Sequence, residues 1–249
     1  MNNSSPVGFF DSGIGGVSIL QAFKHIMPDE STVYIADTPN CPYGNKRAEE
    51  IISLSVANTR ELTEKYGCKM IVVACNTATA AAIDYLRAKY SPLPFIGLEP
   101  AVKPAVHETR SGVVGVLATA GTFSGRLYRE TKAKFGGDTT IIATVADEFV
   151  TLAEKIYRGA LEEDSPEVIE AVKNRLAPLL AAGADRIVLG CTHFPHLKKA
   201  MEVICGDKAK IIDPSFAVAR QARRVLRSLS LQAPAGALAT HVFIDRAKV

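Results

Sequence analysis

Short apolar runs alternate along this chain with stretches whose apolar residues recur at helical spacing, and few folds accept that pattern. Residues 7–10, 32–36, 70–74 and 95–98 read as buried strands. Ala48, Ile51, Ile52 and Val56 mark a helix between two of them. The pattern resumes with strands at 113–117, 140–144, 186–189 and 210–212, and helices fill the intervals. Such alternation predicts an α/β fold whose parallel sheets are covered by helices on both faces. Ser165-Pro166-Glu167 carries a helix-start signature, and 240–244 has the composition of a short added strand.

A weak internal repeat refines the picture. Val7-Gly8-Phe9-Phe10-Asp11-Ser12 aligns with Val114-Gly115-Val116-Leu117-Ala118-Thr119. Met70 to Thr77 aligns in turn with Arg186 to His193. Two matches in the same order imply two similar lobes, each presenting one strand that ends in cysteine. Shared strand-to-helix turns are the alternative explanation.

Composition narrows the function. The chain has 249 residues, and 29 basic against 26 acidic side chains leave a net charge of +3, too slight and too dispersed to predict nucleic-acid binding. Arg220, Arg223, Arg224 and Arg227 cluster, but their spacing fits a solvated helix face. No apolar stretch is long enough for a bilayer, and the first residues lack the basic start of a secretory leader. A cytoplasmic protein with no membrane partner is expected. Five cysteines, an odd number, then point to free thiols.

Ligands of open parallel sheets collect at the carboxyl ends of the strands. Asp11-Ser12, Cys75-Asn76-Thr77, Thr119 to Thr122 and Cys191-Thr192-His193 all fall there. Each cysteine is expected just ahead of a helix, whose N-terminus favours thiolate. Two thiols approaching one ligand from opposite sides suit the inversion of a carbon acid, which needs a base on one face and an acid on the other. Cys41, Cys68 and Cys205 read as packing residues. The run from Cys191 to His196 has the outline of a metal cluster but lacks the partners for a tetrahedral zinc site, so no metal is expected. Gly13-Ile14-Gly15-Gly16 fails the dinucleotide fingerprint because Ser18 stands at its last glycine position, and it reads as a tight turn.

Phe10-Asp11-Ser12-Gly13-Ile14-Gly15-Gly16, Cys41-Pro42-Tyr43-Gly44, Cys75-Asn76-Thr77-Ala78 and Gly190-Cys191-Thr192-His193-Phe194-Pro195 together resemble bacterial glutamate racemase, from Val7 to Leu229. The resemblance implies two α/β lobes related by pseudo-symmetry with the active site in the cleft between them. The first lobe would span 1–98 and 209–249, and the second 99–208. It implies a cofactor-independent two-base enzyme that interconverts L- and D-glutamate and supplies D-glutamate for peptidoglycan, with a homodimer as a candidate assembly. By position, Cys75 would work on D-glutamate with Asp11 assisting, and Cys191 on L-glutamate with His193 and Glu154 assisting. Ser12, Pro42, Tyr43, Gly44, Asn76, Thr77, Thr119, Thr122 and Thr192 would hold the substrate's carboxylates and ammonium. Structural roles compete for three of these residues: a helix cap for Asp11, a buried satisfied imidazole for His193 and a solvated helix face for Glu154. The chain departs from the family where Thr151 replaces a proline ahead of Glu154. Aspartate racemases commonly end the second motif in Cys-Thr-Glu, so His193 favours glutamate. A solute-binding protein also encloses a small ligand between lobes, but has no use for two matched thiols.

Overall fold

The computed structural model describes residues 3–248, the side chains of 127 and 248 apart. The chain divides into two compact units, 1–98 with 215–249, and 99–214.

The first unit opens with β1 (Val7–Asp11), α1 (Val17–Ile26), β2 (Thr32–Ala36), α2 (Ala48–Glu64), β3 (Met70–Val73), α3 (Asn76–Lys89) and β4 (Phe95–Ile96). The second holds α4 (Val102–Glu108), β5 (Val113–Ala118), α5 (Ala120–Ser124), α6 (Arg126–Phe135), β6 (Thr140–Val145), α7 (Glu148–Tyr157), α8 (Pro166–Ala181), β7 (Arg186–Leu189), α9 (Lys198–Cys205) and β8 (Lys210–Ile212). The chain then returns to the first unit with α10 (Ser215–Ser228) and β9 (His241–Asp245). This return comes later than the expected residue 209, because β8 hydrogen-bonds to β7 and completes the second sheet.

Both sheets are wholly parallel, in the orders β4-β3-β1-β2-β9 and β6-β5-β7-β8. The series β4-β3-β1-β2 corresponds strand for strand to β8-β7-β5-β6, so the sequence repeat is a repeat of topology. Parallel strands put all carboxyl ends on one edge, and Asp11 and Cys75 of the first unit and Thr119 and Cys191 of the second follow directly from this.

The central strands β1, β3 and β7 are almost wholly buried because helices cover them, which is why they read as continuous apolar runs rather than alternating ones. In the first unit α1 and α10 pack together: Ile19, Leu20 and Phe23 meet Val218, Ala222 and Leu226 in one core cluster. Arg220, Arg224 and Arg227 lie exposed on the other side of α10, as their spacing predicts. Ser165 caps α8 by accepting from the Val168 amide at 3.5 Å, with Pro166 in the first turn.

A buried ion pair stands at the opposite end of the first sheet from the cysteine. Lys69 Nζ lies 2.7 Å from Glu30 Oε2, both side chains essentially without solvent contact. Lys69 also donates to the Asn3 carbonyl at 2.5 Å, and Glu30 Oε1 accepts the Ala233 amide at 2.7 Å. One pair thus ties down two connecting segments. All five cysteines are free, and no helix among the described residues is long and apolar enough to cross a membrane.

Candidate active site

In the first unit Cys75 is the N-cap of α3, with extended backbone, and its Sγ accepts the Ala78 amide at 3.4 Å. The sequence expectation for this thiol is met: a helix N-terminus offers it N–H groups and the positive end of the dipole. Asp11, fully buried, ends the neighbouring strand. Its Oδ1 accepts the Ser12 amide at 2.7 Å and its Oδ2 the Gly16 amide at 2.8 Å. Gly16 is itself the N-cap residue of α1, so Asp11 braces the 12–16 turn. That turn needs glycine at 16, since an added Cβ would sit 2.6 Å from the Ala74 Cβ and 2.9 Å from the Ala74 carbonyl oxygen.

Asn76 is the most telling residue here. It is buried, yet neither its amide oxygen nor its amide nitrogen has a hydrogen-bond partner within the protein. A buried amide left in that state costs about 1–3 kcal/mol. Ser12 and Thr77 are buried nearby in sequence, with the Ser12 hydroxyl 4.0 Å from the Cys41 sulfur. The Tyr43 side chain is engaged within the protein. Its ring is buried and its hydroxyl donates to Asp37 Oδ2 at 2.5 Å. Burial first, then the Asp37 charge, and to a lesser degree Cys75 and Asp11, raise its pKa far above the usual phenol range. Tyr43 therefore stays a phenol.

In the second unit Cys191 ends β7, but the structure corrects the expected helix behind it. A turn closed by the Phe194 amide on the Cys191 carbonyl (3.2 Å) leads into a 3₁₀ helix at Phe194–Leu197, and α9 begins only at Lys198. The thiol's support is instead an imidazole. Cys191 Sγ lies 4.0 Å from His193 Nδ1, and His193 Nε2 lies 3.0 Å from Glu154 Oε1. Glu154 also meets Arg158 at 3.4 Å. The carboxylate accepts from Nε2–H, which selects that tautomer and leaves the Nδ1 lone pair toward the thiol. His193 is thus buried with Glu154 as its partner, and Glu154 is itself mostly covered.

Packing fixes this chain of groups. The rings of Phe149, on α7, and Phe194, in the 3₁₀ turn, meet edge to face at 5.2 Å and hold the helix of Glu154 against the turn of His193. Thr151 sits exposed in an unbroken α7, so its replacement of proline leaves Glu154 in place. Thr119 and Thr122 bond to each other at 3.1 Å by the end of β5, and with Thr192 are buried. Sequence reading missed Asp37, Asn58 and Arg246, which hold Tyr43 in the first unit. The single signal available was a carboxylate directly after the apolar run of β2.

A family model described as Asp/Glu/hydantoin racemase matches residues 17–222. The glutamate racemase of Ectopseudomonas mendocina is 45% identical over 96% of this chain and 89% of its own length. That of Herpetosiphon aurantiacus is 44% identical over 92% and 87%. Among solved structures, Escherichia coli glutamate racemase, in complex with L-glutamate and the activator UDP-MurNAc-Ala, superposes with a TM-score of 0.82 at 33% identity, covering 95% of this chain and 89% of that one. With the two thiols at matching strand ends and the family model spanning most of the sequence, the chain belongs to the Asp/Glu/hydantoin racemase family.

Proposed function

We propose that the protein is a glutamate racemase that works without a cofactor, its two half-sites serving opposite faces of one glutamate. The observation that carries the reading is the pair of strand-end thiols, each with its own polar neighbours: the Ala78 amide and helix N-terminus at Cys75, the His193–Glu154 pair at Cys191. Its relatives' names supply the substrate.

In the L-to-D direction Cys191 Sγ, its proton held by His193, removes the α-proton, and the Cys75 thiol delivers a proton to the other face. The reverse reaction exchanges the roles. The two thiols have matched intrinsic acidity, which suits transfer in both directions near neutral pH. Asp11 assists Cys75 by fixing the 12–16 turn beside it. Ser12, Asn76, Thr77, Thr119, Thr122, Thr192 and the backbone of 42–44 hold the carboxylates and ammonium, Asn76 gaining the partners that it lacks within the protein. The reading places the enzyme in the cytoplasm, where D-glutamate enters peptidoglycan, with a homodimer as the assembly to test by light scattering.

The test is circular dichroism of L-glutamate and, separately, L-aspartate with chelator-treated protein. Loss of the glutamate signal to zero, with aspartate little changed, is expected. Activity that vanishes with chelator and returns with zinc, or racemisation of aspartate alone, would refute the proposal.

A further inference from the structure

A chain of polar groups, running from buried Asp37 and Asn58 to half-buried Arg246 and Glu61, takes no part in the proton transfers above. Asp37 follows β2 and is fully buried. Besides the Tyr43 hydroxyl on Oδ2, its Oδ1 accepts from Asn40 Nδ2 at 3.0 Å and from Arg246 Nη1 at 3.1 Å. Arg246 Nη2 reaches Glu61 Oε2, on α2, at 2.8 Å. Asn58, one turn earlier on α2, donates to the Tyr43 hydroxyl at 3.3 Å.

Arg246 arrives there by way of the C-terminal strand, a segment with no sequence motif. β9 pairs in parallel with β2, Ala36 opposite Asp245, so the chain leaves β9 at the same edge that carries Asp11 and Cys75. Asp245 secures the exit, its Oδ1 accepting from the Thr38 hydroxyl at 2.8 Å and the Ala247 amide at 3.1 Å. Burial works against the Arg246 charge, but Glu61 and Asp37 outweigh it and the guanidinium is held more firmly protonated than usual.

We propose that Arg246 is a positioning residue for substrate binding: by neutralising Asp37 it fixes the acceptor that clamps the Tyr43 ring, and with it the backbone of 42–44 that meets the glutamate. This rests on the racemase reading. A buried carboxylate stripped of its cation either takes up a proton or moves toward water. Either change removes the fixed acceptor for the Tyr43 hydroxyl and loosens the loop, while both thiols and their supports stay in place. The loss therefore falls on substrate affinity rather than on proton transfer.

Arg246→Gln should raise KM about tenfold with kcat within about twofold of the parent, a change of about 1.4 kcal/mol. Tyr43→Phe should also raise KM. Because both act through Asp37, the double variant should be no worse than the worse single one. Arg246→Lys should recover most of the affinity, and Glu61→Gln, which breaks only the outer ion pair, should leave KM near the parent value. An unchanged KM in Arg246→Gln, factors that multiply in the double variant, or a Glu61→Gln effect as large as that of Arg246→Gln would overturn the proposal. If Arg246→Gln does not fold, Arg246→Met carries the test, and factors that multiply with those of Tyr43→Phe refute. Amide hydrogen exchange of 38–46 runs independently of turnover. Faster exchange in Arg246→Gln but not in Glu61→Gln is expected, and equal protection refutes the assignment. A parent protein that racemises nothing defeats the racemase reading alone, and exchange then decides the role of Arg246 in holding the loop.

Discussion

Replacing Glu154 with glutamine tests the second half-site most directly, because the change alters charge while keeping shape. In the parent, the carboxylate accepts from His193 Nε2 at 3.0 Å, and the imidazole faces Cys191 at 4.0 Å. When His193 takes the thiol proton it becomes a cation, buried to within 2% of full coverage, with Glu154 as its counter-charge. Glutamine still offers a carbonyl oxygen to Nε2–H, so the tautomer survives and the charge assistance goes. Hydrogen bonds to charged groups contribute roughly 1.5–3 kcal/mol against roughly 0.5–1.5 for neutral ones. The difference, about 1–1.5 kcal/mol, predicts a fall in kcat of roughly tenfold. Isotope effects with α-deuterated substrates locate the loss. Slowing proton transfer at Cys191 makes that step limiting in both directions. The isotope effect on L-glutamate should then rise, while that on D-glutamate, whose deuteron leaves through Cys75, should fall toward its equilibrium value. Unchanged kcat, or two isotope effects that move together, would refute the relay and return Glu154 to an ordinary helix residue.

Cys75→Ser and Cys191→Ser should each abolish racemisation yet retain elimination from one enantiomer of a β-chloro glutamate analogue, the L-form for Cys75→Ser and the D-form for Cys191→Ser. Equal elimination from both enantiomers by either variant, followed as release of chloride, would end the opposed-thiol mechanism. Lys69→Met leaves Glu30 buried without its cation and should cost about 3–5 kcal/mol in chemical denaturation, much of it recovered in Lys69→Met with Glu30→Leu. A loss below about 1 kcal/mol in the single variant contradicts the buried pair. Burial pushes the Cys68 thiol up to about 12 from 9.0, so its contribution to stability is complete below pH 9.0 and disappears as pH climbs through about 12. The alkaline fall in unfolding free energy should be shallower in Cys68→Ala, and an identical profile counts against this assignment.

The alternation of strands and helices was legible because each central strand is buried on both faces and each covering helix carries a one-sided stripe, and both leave a period in the residues. The Cys75 cap was legible for the same reason: it lies where an apolar run turns into a helix. The helix expected directly after Cys191 rested on that analogy. It failed because the chain first makes a tight turn, with Pro195 setting up a 3₁₀ helix. The contact between Glu154 and His193 joins residues 39 apart in sequence, and nothing local in α7 announces it. Lys69 stood in the sequence as the polar start of an apolar run, a usual place for a solvated lysine, and only its pairing with Glu30 explains why it is buried. Arg246 was beyond reach for a related reason. Its role depends on β9 docking in parallel beside β2, a choice of partner that a five-residue strand does not encode in its own periodicity.

The unlike supports of the two thiols have a consequence for a racemase. Enantiomers in water have the same free energy, so kcat/KM must be equal in the two directions whatever the protein does. Unequal supports can make kcat differ between the two directions only by the factor by which KM differs. They also bear on how the protein recovers between turnovers. In the proposed mechanism each conversion of L- to D-glutamate leaves the proton on Cys191 and a thiolate at Cys75, the state that accepts the D-form. Another L-glutamate can react only after both thiols have exchanged protons with water. Cys75 and Cys191 are both buried, which slows direct exchange. In that mechanism Cys191 has a route outward through His193 to Glu154, whose side chain is 15% exposed. The His193–Glu154 pair beside Cys191 would therefore also provide its path for proton exchange. At Cys75 the support is a backbone amide and a helix end, which stabilise the charge without carrying a proton. Recovery should accordingly be more sensitive to Glu154→Gln at saturating substrate than at low substrate, where the thiols have time to exchange between encounters.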